Sequence, residues 1–299
     1  MELQLQNITK QYRQFTAVDQ LSFSIEKGEI FGLIGANGAG KTTTFRMILN
    51  LQEITSGEIT WQGRPVHTVE KDLFGYLPEE RGIFPHMKIE EQLLFFGKIR
   101  GMEKSTIKRE VDYWIERFQL EEKRHAKAET LSKGNQQKVQ LIASFLHQPP
   151  FLILDEPFSG LDPVNKELLK SAILELKQRG TTILFSSHQM ENVEELCDNL
   201  CLMKNGRALF TGAIIDLKKK HGKKRLAIRT ELTPETLLKL DGVESCVRNG
   251  DELVCSVSNE EVAKTVYDLV SNDGFVEKFS LDYLSLDEIF RLEVGGYHE

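Results

Sequence analysis

One short segment constrains this chain more than any other: a glycine-rich turn that directly follows the apolar run Ile30–Ile34. The turn matches the pattern G-x-x-x-x-G-K-[ST], and a segment with an apolar helical face follows it. A strand, a glycine-rich loop and a helix in this order point backbone N–H groups and the positive end of the helix dipole at a bound phosphate. We therefore predict a phosphate-binding loop. Its residues, with the first helical turn, are Gly35, Ala36, Asn37, Gly38, Ala39, Gly40, Lys41, Thr42 and Thr43.

Within this loop, two side chains carry chemistry. Lys41 can place a positive charge between the terminal phosphates of a nucleotide, and Thr42 can offer its hydroxyl to Mg²⁺. A second site is predicted where the run Phe151–Leu154 ends in two acids. Because open α/β sheets bind ligands at the carboxyl ends of their strands, Asp155 is the candidate Mg²⁺ ligand, directly or through water. Glu156 is the candidate general base that polarises an attacking water.

Length and hydrophobic pattern together indicate two domains in the 299 residues. Up to about residue 216, β-rich apolar runs such as Thr181–Phe185 alternate with helical segments, which predicts an α/β domain on a largely parallel sheet. Helical spacing without strand signals predicts a helical insertion over about 86–147. Residues 226–299 alternate short strands and helices in the order of a small split-βαβ unit, so a small C-terminal α+β domain is expected.

The charge of the chain changes at the same boundary. The whole chain has a net charge of −7, from 38 basic and 45 acidic residues, which speaks against a dedicated nucleic-acid binder. Residues 226–299 hold 16 acidic and 6 basic residues, or −10, so residues 1–225 carry +3. The step falls at 217–225, where six residues are basic, and we predict a linker there.

Further motifs occur in a fixed order around the two predicted sites. In chain order they are Tyr12 ahead of Ala17-Val18, Leu131-Ser132-Lys133-Gly134-Asn135-Gln136, Ser159-Gly160-Leu161-Asp162, and His188 after the run Thr181 to Ser187. The segment Ser159–Asp162 closely follows Glu156 in the chain. The segment Leu131–Gln136 is predicted to open a helix that Ser132 can cap. Over roughly residues 1–215 this ordered set resembles the nucleotide-binding subunit of ABC transporters, a P-loop NTPase with an ABC-type helical insertion.

The resemblance implies a role for each motif. Glu156, His188 and Lys41 would be the catalytic residues. His188 would be the switch histidine that bonds the γ-phosphate, and Tyr12 the ring that stacks on adenine. Ser132, Gly134, Asn135 and Gln136 would form the signature that one subunit presents to the γ-phosphate held by the other, and Asp162 would lie in the D-loop. A tyrosine at a strand end also has a plainer interpretation, as packing.

Two motifs depart from the family pattern. Glu79 stands where the family has a glutamine after its second core strand; it keeps an acceptor for Mg²⁺ or water but loses the amide donor. The signature has Lys133 and Asn135 where Gly and Gln are usual. Such departures, with an acidic C-terminal appendage, resemble the branch that pairs with separate exporter-type permeases, including sodium-extrusion systems.

The resemblance therefore implies an ATPase subunit that uses ATP and Mg²⁺, dimerises head to tail with a second ATP-binding subunit and energises transport through an integral membrane permease. The helical insertion, with Phe84, Phe95 and Phe96 near the Glu79 segment, is where a permease helix is expected to dock, and a plain core position is the alternative for these aromatics. For Phe95 and Phe96 a core position is the favoured interpretation. Two alternatives stay open: a soluble ABC-type ATPase that acts on ribosomes or nucleic acid, and a nucleotide-switched regulatory module.

The remaining features concern location and redox state. The start of the chain lacks a secretory signal and no run of about 18 apolar residues occurs, so we expect a cytoplasmic protein that reaches the membrane through its permease. The four cysteines lack metal-type spacing and are predicted to be buried or inert thiols. They are Cys197, Cys201, Cys246 and Cys255.

Overall fold

The computed structural model describes residues 1–80, 82–272 and 275–294; the end of the predicted C-terminal domain, 295–299, lies outside these ranges. The chain divides into two compact units, Met1–Thr211 and Gly212–Glu299. The strands that begin in the first unit are β1 Leu3–Tyr12, β2 Phe15–Ile25, β3 Ile30–Gly35, β4 Ser56–Trp61, β5 Arg64–Pro65, β6 Phe74–Leu77, β7 Phe151–Leu154, β8 Thr182–Ser187, β9 Asn199–Lys204 and β10 Arg207–Ala213. Its helices are α1 Lys41–Ile48, α2 Ile89–Ile99, α3 Lys104–Arg117, α4 Lys133–Phe145, α5 Pro163–Gln178 and α6 Met190–Leu196.

A six-stranded sheet in the order β10-β9-β3-β8-β7-β6 forms the centre of the first unit. Strand β3 pairs in parallel with β8 and β9, and β7 pairs in parallel with β6 and β8. Every residue of β3, β7 and β8 is buried, as their unbroken apolar character predicts for strands covered on both faces. The predicted largely parallel sheet is confirmed. The strand Phe151–Leu154 has its predicted bounds, and the other two shift by one or two residues.

An antiparallel sheet in the order β2-β1-β4-β5 forms a second layer that the sequence reading did not separate from the first. Its contact with the central sheet is aromatic: the Trp61 ring lies 5.2 Å from the rings of both Phe74 and Phe151. Offset and edge-on aromatic pairs of this kind add to the free energy gained by burial. The two sheets therefore share one apolar core, and the strand β3 that leads to the glycine-rich turn is part of it.

The predicted helical insertion contains α2, α3 and α4. Trp114 of α3 is fully buried, and its ring lies 4.6 Å from the Phe145 ring of α4. Phe95 contradicts the core interpretation because its side chain is 40% exposed, while Phe96 is half-buried. The rings of Phe84, Phe95 and Phe96 lie about 6 Å apart pairwise, so the three form one surface cluster.

The second unit contains α7 Ile214–His221, β11 Lys224–Arg229, α8 Pro234–Leu237, β12 Val243–Asn249, β13 Glu252–Val257, α9 Glu260–Ser271, β14 Phe279–Tyr283 and α10 Leu286–Val294. Its sheet has the order β12-β13-β11-β14, with antiparallel neighbours. Strand β13 lies between β11 and β12, which are joined through α8, and this is the split-βαβ arrangement that the element order predicts. Its own apolar core includes Leu226, Val257 and Val266.

The basic segment 217–225 is not the linker that we predicted. Helix α7 covers most of it, and Lys224 and Arg225 already belong to β11. Three of its six basic residues pair with acids of the second unit: Lys223 with Glu244 at 2.6 Å, Lys224 with Glu260 at 3.3 Å and Arg225 with Glu288 at 4.0 Å. The charge step along the sequence therefore reflects local pairing of a basic segment with an acidic unit.

The cysteines separate into two pairs. Cys246 and Cys255 lie opposite each other on β12 and β13 and form a disulfide, so the prediction of inert thiols is wrong for them. Strand register brings them together, and register is a property that cysteine spacing does not reveal. Cys197 and Cys201 are free and buried, and burial raises the pKa of both thiols, to about 12 for Cys201.

One buried histidine makes the stability of the first unit sensitive to acid. Burial, aided by the Arg100 charge, lowers the pKa of His147 to about 4, whereas the unfolded chain binds this proton near the ordinary value of 6.5. The contribution of neutral His147 to the free energy of unfolding is therefore fully present above pH 6.5. It is lost as the pH drops from 6.5 to about 4, and the loss is at most roughly 3 kcal/mol.

We expect His147→Gln to remove this part of the acid sensitivity. Urea unfolding of the variant and the wild type at pH 7 and pH 4.5 measures it. The loss of stability between the two pH values should be smaller in the variant. Parallel losses in the two proteins would contradict the assignment.

Candidate functional site

The glycine-rich loop turns sharply between β3 and α1. Gly40 has φ +105°, and a Cβ atom added there would lie 2.6 Å from the carbonyl oxygen of Ala17, so only glycine fits. Helix α1 begins at Lys41 with no side-chain cap and no acid in its first turn. The backbone N–H groups at this helix start therefore lack a side-chain acceptor, which is the arrangement that binds an anion.

Lys41 lies inside the loop, 7% exposed. Its Nζ donates to the carbonyl oxygens of Gly35 at 2.8 Å and Ala36 at 3.2 Å and lies 4.0 Å from Oε1 of Glu156. Burial lowers the pKa of Lys41, and the charges of Glu156, Asp155 and Glu79 oppose that shift. An ammonium held this way is preorganised for a polyanionic ligand.

Thr42 and Asp155 meet as predicted for a metal site. The Thr42 hydroxyl donates to Oδ2 of Asp155 at 2.8 Å, and Asp155 is 2% exposed. The Ser186 hydroxyl donates to the other oxygen, Oδ1, at 2.7 Å and accepts from the backbone N–H of Glu156 at 2.9 Å. Sequence reasoning missed Ser186. Its signal was a pair of hydroxyl residues ending an otherwise apolar strand.

Glu156 and His188 also contact each other at this end of the sheet. His188 Nδ1 lies 2.7 Å from Oε2 of Glu156, and the His188 backbone N–H donates to the same oxygen at 3.4 Å. Glu156 has φ +50°, in the left-handed region that a non-glycine residue rarely adopts. Among the described residues, Oε1 of Glu156 is buried without a hydrogen-bond partner. The carboxylate thus has one oriented oxygen and one that points into the site beside Lys41.

Strand order explains why these residues converge. Strand β8, which leads to His188, lies between β3, which leads to the loop, and β7, which leads to Asp155. Parallel neighbours end at the same edge of a sheet, so their three following segments meet there. Strand β6 is next in order and leads to Glu79, whose side chain is exposed and whose charge acts on Lys41 and on Tyr76. Burial, aided by Asp155, raises the pKa of Tyr76 to about 12.

The signature residues form a separate cluster. Ser132 caps α4 by accepting from the Asn135 N–H at 3.3 Å, and the Gln136 amide donates to the Ala128 and Leu131 carbonyls at 2.9 and 3.3 Å. A Cβ on Gly134 would lie 3.6 Å from Nδ2 of Asn165 in α5. Asp162 caps α5 by accepting from the Asn165 N–H at 2.9 Å, and that bond lowers the pKa of Asp162. The signature and the D-loop segment therefore adjoin each other.

Tyr12 ends β1 with its side chain 45% exposed. Gln52 donates a hydrogen bond to its hydroxyl, and the Lys10 ammonium lies 5.2 Å from the ring centroid. The ring is oriented at the surface, and it is not a core residue. Stacking of Tyr12 on adenine stays a prediction.

A phosphate loop on the central parallel sheet, with a Thr–Asp pair and an oriented carboxylate at the same edge, defines a P-loop nucleotide-binding protein. An ABC transporter family matches residues 18–159, and the C-terminal domain of DrrA1-3-like ATP-binding proteins matches residues 212–294. The ABC transporter ATP-binding protein YhaQ of Bacillus subtilis (strain 168) is 46% identical over 297 residues, which cover 99% of this chain and 100% of that protein.

Two further similarities agree. The Nod factor export ATP-binding protein I of Paraburkholderia xenovorans (strain LB400) is 34% identical over 267 residues, 85% of this chain and 86% of that protein. A solved ATP-binding subunit of an ABC transporter matches with a TM-score of 0.70 and 31% identity over 74% of this chain and 94% of that one. The chain belongs to the ATP-binding proteins of the ABC transporter family, as an ATPase subunit that energises transport.

Proposed function

We propose that this chain binds ATP with Mg²⁺ at the Gly35–Thr43 loop, hydrolyses it with Glu156 and works as one half of a head-to-tail dimer on a separate permease, in the direction of export. The observation that carries the proposal is the convergence of three contacts at one sheet edge: Lys41 beside Glu156, Thr42 on Asp155 and His188 on Glu156. Charge for phosphate, oxygen donors for a metal and a base for water are thereby within one site.

The oxygen donors fit Mg²⁺. The Thr42 hydroxyl and the Asp155 carboxylate, already 2.8 Å apart, are the hard ligands that this ion prefers, and Glu79 is the third candidate at the next strand end. Bound Mg²⁺ would supply positive charge to phosphate oxygens. Ser186 holds Asp155 from its other side at 2.7 Å, so the carboxylate is fixed for this task.

Glu156 is proposed as the base because its two oxygens are in different situations. Oε2 is held by His188, whereas Oε1 is buried beside Lys41 without a hydrogen-bond partner among the described residues. A carboxylate with one free oxygen can accept a proton from an attacking water. The half-exposed His188 ring is available to a γ-phosphate, which is the role we propose for it.

The second subunit is proposed because the signature begins at an accessible helix start. Ser132 is exposed there and caps α4 by accepting from the Asn135 N–H at 3.3 Å. With Gly134 and Asp162, these residues complete an ATP site only on a partner copy. Tyr12 is proposed to stack on the adenine of its own site.

The proposed docking surface for the permease is the aromatic cluster Phe84, Phe95 and Phe96. Phe84 and Phe95 are 44% and 40% exposed, and grouped exposed aromatics mark protein interfaces. No helix among residues 1–80, 82–272 and 275–294 has the length and apolar composition needed to span a bilayer. We propose that the chain acts at the cytoplasmic face of the membrane, where it binds the permease. Similarity to a Nod factor export protein supports export as the direction of transport.

The test is purification from membranes through a tag on this chain, identification of the membrane protein that co-purifies, and reconstitution of the two in vesicles. We expect a stoichiometric permease and ATP hydrolysis that the permease stimulates. Phe84→Ser with Phe95→Ser should abolish recovery of the permease and leave basal hydrolysis unchanged, whereas Phe275→Ser, which alters a 93% exposed phenylalanine of the second unit, should change neither. Unchanged recovery in the double variant would reject this docking surface, and hydrolysis indifferent to the permease would reject the proposed function.

A further inference from the structure

Of the three glutamines of helix α4, Gln137 and Gln140 lie on one face. They are three residues apart, so their side chains emerge on the same side of the helix. Gln140 is only 7% exposed, in a helix whose other buried positions are mostly apolar. A buried amide costs free energy unless its hydrogen bonds are made, and it therefore marks a specific contact.

Both amides donate to backbone carbonyls next to active-site carboxylates. Gln140 Nε2 lies 3.0 Å from the carbonyl oxygen of Glu80 and 3.4 Å from that of Pro78, the two residues that flank Glu79. Gln137 Nε2 lies 2.7 Å from the carbonyl oxygen of Pro157, the residue that follows Glu156. The two segments that carry Glu79 and Glu156 are thus attached to one helix.

The same helix begins with the signature. Ser132 caps it, and Gln137 and Gln140 lie one and two turns further along. An α-helix is stiff over this length, so a shift of its start is carried to the two attached segments. Residues further along the chain from Glu79 are held by another helix. The side chain of Gln92 in α2, which is fully buried, accepts from the Phe84 N–H and donates to the carbonyl oxygens of Phe84 and Met87. Gln140 therefore attaches the near end of the Glu79 segment to α4.

We propose that Gln140, assisted by Gln137, is a positioning residue that couples the two ATP sites of the dimer. The start of α4 meets the nucleotide of the partner copy, and its glutamine face sets the carboxylate segments of its own site. This inference rests on the proposed head-to-tail dimer. Closure at one site then orients Glu79 and Glu156 at the other, and hydrolysis becomes cooperative in ATP.

The test is the ATP dependence of hydrolysis by the full chain. Gln140→Met keeps the length and burial of the side chain but removes its donors. Gln137→Met does the same at a position that is only half-buried. We expect the Hill coefficient to fall from near 2 to about 1 and kcat to fall roughly tenfold in each variant. ATP affinity measured without Mg²⁺ should stay within about twofold, since the amides of both glutamines bond to carbonyls outside the phosphate loop, at Pro78, Glu80 and Pro157.

Gln178→Met, at an exposed position near the end of α5, is the matched control and should behave as wild type. Wild-type cooperativity and kcat in a folded Gln140→Met or Gln137→Met variant would overturn the coupling role. Parallel loss of ATP affinity and thermal midpoint with kcat would also overturn it, in favour of a structural role. A wild-type chain that forms no ATP-dependent dimer and hydrolyses without cooperativity would instead refute the proposed function.

Discussion

Replacement of Glu156 by glutamine should stop most ATP turnover while ATP still binds. The change keeps the size of the side chain and its contact with His188, but it removes the basic oxygen Oε1 that points into the site beside Lys41. Loss of a positioned general base costs about 10²–10⁴-fold in rate. The phosphate loop itself is untouched, so ATP affinity should remain within a few-fold of wild type. If hydrolysis separates the dimer, the variant should accumulate as an ATP-bound dimer.

Steady-state hydrolysis and light scattering with and without ATP measure both effects. Glu122→Gln, at an exposed position of the helical insertion, controls for the loss of one negative charge. Wild-type turnover in Glu156→Gln would remove Glu156 from the catalytic role. If turnover is lost but no ATP-dependent dimer forms, the catalytic role of Glu156 would be supported and the proposed dimer would be rejected.

The parts of the fold that sequence reasoning predicted are those with strong local signals. The strand Phe151–Leu154 is predicted with its bounds because four buried apolar residues precede two acids. The loop at Gly35–Thr42 is predicted because its glycines, lysine and threonine occur at the fixed spacing of a local pattern. In contrast, β1 and β2 alternate imperfectly and shift register several times, and so the antiparallel layer left no clear period-two pattern.

What sequence reasoning missed depends on pairing between distant residues. Arg225 forms part of β11 because Asp282 and Ser256 stand opposite it in the sheet, and composition alone made its segment resemble a linker. The disulfide of Cys246 with Cys255 depends on hairpin register in the same way. At the site, Asp155 and Glu156 were predicted, but Ser186, which bonds both, lies 30 residues from Glu156 and is brought there by the neighbouring strand.

Lys41→Met should produce the other large effect, a loss of ATP affinity of about 10²–10⁴-fold. The ammonium can make two or more charge-assisted hydrogen bonds to phosphate, each worth about 1.5–3 kcal/mol. Nucleotide binding to the purified chain, measured by calorimetry, tests this. Lys27→Met, at an exposed lysine before β3, should bind ATP as wild type does. An affinity for ATP within tenfold of wild type would mean that Lys41 does not contact phosphate.

The same variant should not be less stable without ATP, and this distinguishes a ligand-binding charge from a structural one. Burial lowers the pKa of Lys41 despite three nearby carboxylates, so protonation of this amine is less favourable in the folded chain than in the unfolded one. The unfolded chain holds this proton up to about pH 10.5, and the native chain releases it earlier. The free energy of unfolding of the wild type should therefore increase relative to that of Lys41→Met as the pH rises toward 10.5. At pH 7 the variant should unfold at an equal or higher urea concentration. A lower unfolding midpoint for the variant at pH 7 would show that the Gly35 and Ala36 carbonyl contacts outweigh the cost of burial. Lys41 would then stabilise the loop in addition to binding ATP.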